Sequence, residues 1–173
     1  MLRLAPILFL LSSCRPTRDL SQYVQEDPAS RLLPKLELGS TLAEPQLKFG
    51  FYQIEEGRWR WVASRFSVQL KPPFASQQRG ATLTLRGNLP DIVIAKTGPI
   101  TLAARLNETE LPPLTFSKSG ELIYQVDVSA AALLAEPLIL TFTTDKFLPP
   151  NTFAGDGREL ALIVSAIALE TKK

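Results

Sequence analysis

Residues 159–170 read ELALIVSAIALE, and the fold turns on whether this run is a helix or a strand. Its alanines and leucines suit a helix. Period two gives a different reading. Leu160, Leu162, Val164, Ala166 and Ala168 share one side, while Ala161, Ile163, Ser165, Ile167 and Leu169 share the other. Both sides are apolar, as in a central strand buried on two faces. The run is therefore expected to be a strand.

Seven further short apolar runs precede it: KLEL (35–38), LKFGFYQI (47–54), RWRWVASRFSVQL (58–70), ATLTLRG (81–87), PITLAARL (99–106), ELIYQVDV (121–128) and LILTFTTD (138–145). Gly, Pro, Asn and Asp separate them. Leu83 and Leu85 alternate with Thr82 and Thr84; Leu122, Tyr124, Val126 and Val128 share one side of their run. Short alternating strands between turn signals predict a single antiparallel β-sandwich of jelly-roll type over residues 35–173. The 14 prolines sit mainly at run boundaries, where they break no ladder. Helix is expected to be scarce, limited to a turn or two in SAAALLAEP (129–137), where Ser129 is the cap and Pro137 the stop.

The first residues carry a different signal. Arg3, an apolar stretch from Leu4 to Leu11, and the small residues Ser12 and Ser13 have the order of a secretory signal. The stretch falls well short of the ~20 apolar residues that span a bilayer. Cys14 follows directly and is the chain's one cysteine. Leu11-Ser12-Ser13-Cys14 resembles the bacterial lipobox, in which the cysteine becomes the lipidated first residue of the mature chain. The resemblance implies a signal peptide over 1–13, a lipid on Cys14 and attachment to a membrane of the cell envelope. Arg15 stands where an Asp often implies inner-membrane retention, so the outer membrane is implied in an organism that has one. Residues 14–34 are polar, with prolines at 28 and 34, and read as a flexible tether.

Composition excludes several chemistries. There is no histidine, hence no Ser-His-Asp or Cys-His machinery and no imidazole zinc site. With Cys14 lipidated no thiolate remains, and no disulfide can form. No glycine-rich phosphate loop stands between a strand and a helix. Without residues 1–13 the chain has 18 basic and 17 acidic residues, scattered rather than striped, so no nucleic-acid footprint is expected. No cofactor and no enzymatic activity are expected. Two carboxylates alone can run a glycosidase, but 17 acids always supply some pair.

GFYQIEEGRWRW (50–61) concentrates the aromatic and polar chemistry. Glu55-Glu56-Gly57 reads as a hairpin loop with Gly57 left-handed. Trp59 and Trp61 then share one side of the following strand, with Arg58 and Arg60 on the other. Phe49, Phe51 and Gln53 share a side of the preceding strand, with Tyr52 opposite. A loop over 55–57 sets Gln53 against Trp59, Phe51 against Trp61 and Tyr52 against Arg60. Such a hairpin serves either as an aromatic platform for sugar rings, with Gln53, Glu55 and Arg60 bonding hydroxyls, or as core; one tryptophan buried and one at the rim is the mixed case. Further on, Pro149-Pro150-Asn151 and Asp156-Gly157-Arg158 mark turns. Asp156 is placed to bond backbone amides, and Arg158 to pair with a carboxylate such as Glu55; an ordinary loop explains the same residues.

Gly50-Phe51-Tyr52, Glu55, Arg60-Trp61, Pro149 and Asp156 to Leu160 occur in an order that resembles jelly-roll accessory domains found beside bacterial membrane glycosyltransferases. The likeness runs over roughly residues 48–170. It implies a carbohydrate-binding-like domain, here without a catalytic neighbour. The expected function is a lipid-anchored, non-catalytic glycan-recognition module with Trp59, Trp61, Tyr52, Gln53, Glu55, Arg60, Asp156 and Arg158 as ligand-binding residues. The alternative is a structural or assembly lipoprotein docking onto envelope proteins.

Overall fold

In the computed structural model, which describes residues 32–173, nine strands follow in antiparallel pairing. They are β1 (Lys35–Glu37), β2 (Leu47–Glu55), β3 (Trp59–Leu70), β4 (Ala81–Leu89), β5 (Ile100–Leu106), β6 (Thr109–Phe116), β7 (Gly120–Val128), β8 (Leu138–Thr144) and β9 (Leu162–Thr171). Two short helices, α1 (Ser76–Arg79) and α2 (Asp91–Thr97), and 3₁₀ turns at Thr41–Gln46 and Ala131–Leu133 fill connections. The expected signal segment and Cys14 lie outside the described residues. So does the tether up to residue 31; Leu33 and Pro34 already hydrogen-bond to Gln46, Lys71 and Leu169.

The architecture is an antiparallel β-sandwich of jelly-roll type. One face runs β6-β5-β8-β3-β2, and the other runs β7-β4-β9, extended by β1 and by the first part of β3. β3 belongs to both. Arg60–Val62 pairs with Leu162–Val164 of β9, whereas Arg65–Leu70 pairs with β8. Between the two pairings the backbone of Ser64 has no ladder partner. Its N–H donates to the Glu159 carboxylate at 2.6 Å, and its C=O accepts from Thr144 Oγ1 at 3.4 Å. Side chains thus satisfy the polar groups exposed where β3 turns from one sheet into the other.

Inward residues alternate as the pattern required. Leu83, Leu85, Tyr124, Val128, Leu138 and Leu140 are buried, with Thr82, Thr84 and Gln125 outside. Phe66 stacks on Phe142 at 5.0 Å, and Tyr124 from the opposite sheet meets Phe142 edge-on at 5.9 Å. The Tyr124 hydroxyl donates to Pro112 C=O at 2.8 Å, and burial pushes its pKa up to about 12.

β9 is a central strand as expected, but its faces are not two continuous stripes. An extra residue in β9, Ser165, between the partners of Arg86 and Gly87 swaps the sides. Leu160, Leu162 and Val164 face the core before the shift, and Ile167 and Leu169 after it. Ala166 and Ala168 therefore turn outward. Gly87 permits the shift: a Cβ there would lie 2.1 Å from the Ile163 carbonyl oxygen.

The Thr41–Gln46 turn, α1, α2 and β6 all escaped the pattern. β6 contains Pro112-Pro113, which argues against a strand; it lies at a sheet edge, and the pair sits where its register with β5 shifts. α2 carries its own signals in Pro90, Asp91 in the first turn, Lys96 in the last and Gly98 at the end. Among the described residues, no helix is long and apolar enough to cross a membrane, and no group of three or more metal-ligating side chains occurs.

Candidate functional site

The hairpin between β2 and β3 forms where expected, with its turn one residue later. Glu56 (φ 52°) and Gly57 (φ 65°) are both left-handed, and Arg58 N–H donates to Glu55 C=O at 3.1 Å. Two successive positive φ values center the turn on Glu56-Gly57. The expected register is corrected accordingly: Glu55 pairs with Trp59, and Ile54 with Arg60. One extra residue on β2 then sets Phe51 against Val62 rather than Trp61, and leaves Tyr52 and Gln53 in the bulge. A second irregularity at Gly50 separates Phe49 from Phe51. Phe51 packs edge-on against Phe66 at 5.4 Å, while Phe49 is exposed beneath the Arg65 guanidinium. The two do not share a face, because Gly50 (φ 81°) inserts an odd step between them.

β3 turns its even-numbered residues inward. Arg60 and Val62 are buried together with Phe66, Val68 and Leu70. Trp59 and Trp61 consequently lie on the outer side, each half-buried, with ring centroids 6.5 Å apart at 81°. Neither is buried outright: Trp61 packs partly against the core, and Trp59 stands beside Glu55.

Arg60 is only 3% exposed. Nε donates to Leu38 C=O at 2.9 Å, and the two terminal nitrogens donate to Tyr52 C=O at 3.0 Å and to Glu44 at 2.6 Å. Its carboxylate partner is Glu44 of the 3₁₀ turn, not Glu55 or Asp156. Glu44 gave no signal of this in the sequence, since 16 residues of chain separate the pair.

Tyr52, Glu55, Asp156 and Arg158 do come together. Arg158 grips both Asp156 oxygens, at 2.9 Å each, and reaches Glu55 at 2.8 Å. Asp156 also accepts from the Arg158 backbone N–H at 3.0 Å, the turn-back its position implied. Hydrogen bonds from Arg158 hold the Asp156 carboxyl below its ordinary range, and the two carboxylates hold the Arg158 guanidinium protonated. The Arg158 guanidinium lies 5.4 Å from the center of the Tyr52 ring, whose hydroxyl accepts from Glu159 N–H at 3.1 Å. At the turn itself, Arg58 first and Trp59 second hold Glu56 below its ordinary range. Gln53 is exposed.

A second polar surface was not anticipated. On the outer face of β7-β4-β9, Thr82, Thr84, Arg86, Gln125, Asp127 and Glu170 border a shallow groove of about 430 Å³. A neighboring hollow of about 260 Å³ is floored by Ala166 and Ala168 and flanked by Lys35 and Glu37. Alternation marked Thr82 and Thr84 as outward. Only register brings them beside Gln125, Asp127 and Glu170. The groove offers hydrogen-bonding groups and no aromatic ring.

No family model matches this chain, and no curated protein matches it. Among solved structures, a carbohydrate-binding module, TmCBM27, described for specific mannan recognition, superposes with a TM-score of 0.47 at 12% identity, over 82% of this chain and 98% of that one. At that score and identity the likeness carries neither residues nor ligand over to this chain.

Proposed function

We propose that this protein is a non-catalytic, lipid-anchored recognition domain of the bacterial cell envelope that binds glycan at the β2-β3 hairpin. One observation carries the reading: Trp59 and Trp61 lie half-buried on the outer side of β3, beside Glu55 and the Glu55-Arg158-Asp156 array. Half-buried rings are fixed by packing yet keep an apolar face for a sugar ring, while Gln53, Glu55 and Arg158 supply donors and acceptors for hydroxyls. Arg60, sealed inside, serves by holding the hairpin to the Thr41–Gln46 turn.

The Asp156 carboxylate is suited to holding rather than to proton transfer. A general acid needs a raised pKa, and Asp156 is pushed the other way by Arg158. Docking of partner proteins by strand addition is discouraged at two edges, where β2 is broken by three register shifts and β6 by Pro112-Pro113; the regular β7 edge is the one left for it.

The test is glycan-array binding and thermal melting of Trp59→Ala and Trp61→Ala. Trp59→Ala should melt within a few degrees of wild type and lose glycan binding. If both variants bind normally, or neither folds, the hairpin is not the recognition site. For the anchor, a palmitate analog should label the wild type and not Cys14→Ser.

A further inference from the structure

We propose that the end of the sandwich opposite the tryptophan hairpin is a contact surface for anionic phospholipid headgroups, with Phe74 and Leu134 entering the membrane interface. The orientation rests on the lipid-anchor reading of Cys14; the surface itself is built from described residues.

Several segments meet at this end. Leu70 at the end of β3 pairs with Leu138 at the start of β8. Lys71 N–H donates to Leu33 C=O at 3.2 Å, Thr171 Oγ1 to Phe74 C=O at 2.7 Å, and Lys172 N–H to Gly80 C=O at 3.2 Å. Residues 32–33, 71–80, 129–138 and 171–173 thus form one cap of the domain.

Three exposed apolar side chains lie on that cap, Leu33 at 47% and two that project further. Phe74 is 96% exposed and Leu134 64%. Phe74 is held outward by its surroundings. Pro72 and Pro73 precede it, Ala75 after it is left-handed at φ 60°, and its carbonyl is tied to Thr171. A phenylalanine fixed this far into solvent gains nothing from the fold itself, but it would gain from an apolar phase.

The charges around it favor an anionic partner. Lys71, Arg79 and Lys173 are exposed on the cap, and Lys172 pairs with Asp127 at 2.8 Å. Against them stand Glu136, exposed Glu170 just before the cap's last segment, and Glu108, the latter 4.0 Å from Arg105. Within the cap's own segments Lys71, Arg79 and Lys173 outnumber Glu136, and an aromatic tip beside that basic excess suits interfacial binding to anionic lipid.

The place where the chain leaves the domain selects a bilayer as the occupant. Leu32 and Leu33 lie at this cap beside Lys71, and residues 15–31 alone separate them from Cys14. As a flexible tether those 17 residues have a typical end-to-end distance of about 21–25 Å, shorter than the domain, so a lipid on Cys14 favors this end as the one nearer the membrane. The hairpin lies at the other end of the twelve residues of β3, on the order of 35–40 Å away at ~3.3 Å per residue, facing outward.

The experiment uses the full chain in vesicles of phosphatidylglycerol and phosphatidylethanolamine containing nitroxide-labeled lipid. Phe74, Leu134 or, at the far end, Thr152 is replaced by an environment-sensitive fluorescent amino acid. Intact mass of the same sample reports acylation of Cys14. Emission at positions 74 and 134 should be quenched at least about threefold more than at 152, and Lys71→Glu with Arg79→Glu should reduce that difference. Equal quenching at 74 and 152, or more at 152, overturns the surface. An acylated Cys14 with position 74 unquenched sinks the surface and leaves the anchor. A free Cys14 with position 74 quenched sinks the anchor and leaves the surface. A free Cys14 with position 74 unquenched sinks both.

Discussion

The Ser64 amide donates to the Glu159 carboxylate at 2.6 Å, across 95 positions of the chain. This contact sits where β3 leaves one sheet and joins the other. Removing the acceptor in Glu159→Ala strands a part-buried N–H, which should cost about 1 kcal/mol or somewhat more. Glu159→Gln keeps an oxygen in place and should cost less than half as much. Urea melts of the two variants measure the difference; equal losses would mean the carboxylate does something other than satisfy Ser64.

Arg60 and Glu44 should respond unequally to substitution. Arg60→Met leaves Leu38 and Tyr52 carbonyls unpaired in a buried place and should cost about 3 kcal/mol or more. The Glu44 side chain is 54% exposed, so Glu44→Gln should cost under about 1 kcal/mol. Denaturant midpoints decide the matter, and a Glu44→Gln loss as large as that of Arg60→Met would contradict the unequal burial.

Gly50 and Gly57 both have positive φ, yet only one is hemmed in. A Cβ at Gly50 would fall 2.2 Å from Arg65 C=O, whereas at Gly57 nothing lies within 4 Å. Gly57→Ala should therefore cost only the backbone strain, about 1–2 kcal/mol, and Gly57→Asn less. Gly50→Ala should fail to fold or lose several times that amount. Expression level and melting temperature of the variants suffice to compare them.

Acid should loosen the Asp156-Arg158 clamp. Its carboxyl titrates lower in the folded chain than its ordinary 3.8, because Arg158 bonds its charged form. The clamp's contribution is thus present above about pH 4 and is lost as pH falls through the lowered folded value. Asp156→Asn should flatten the acid limb of a melting-temperature profile below pH 4 and leave the neutral limb parallel to wild type. An unchanged acid limb would show that the clamp is not coupled to folding.

Much of the architecture was legible because alternation is a local signal. Leu83 and Leu85 point one way and Thr82 and Thr84 the other in any strand, and Leu122, Tyr124, Val126 and Val128 behave likewise. What misled was local too. Pro112-Pro113 argued against a strand that an edge position and a bulge accommodate. The bulges at Gly50, Tyr52-Gln53 and β9 shifted parity where the sequence shows at most a glycine, so Phe49 and Phe51 parted company and Ala166 and Ala168 turned outward. In the candidate site, the pairing of Arg158 with Glu55 and the turn-back of Asp156 followed from charge and turn chemistry. The Thr82-Gln125-Glu170 groove did not, since three strands far apart in sequence supply it.

By itself, the sequence determined the number and phase of nearly all the strands, the exclusion of imidazole chemistry, and the division of β3 into a tryptophan side and an arginine side. Only the tertiary structure decided which of those sides meets water. Simple hydrophobicity would bury Trp59 and Trp61 and leave Arg60 out; instead Arg60 is sealed inside and both tryptophans stay only half-buried. Leu38, Tyr52 and Glu44 converge from three separate segments so that each nitrogen of the buried guanidinium has an acceptor. A charge can be buried when its partners are already assembled around it, and that assembly is a property of the fold, not of any stretch of the chain.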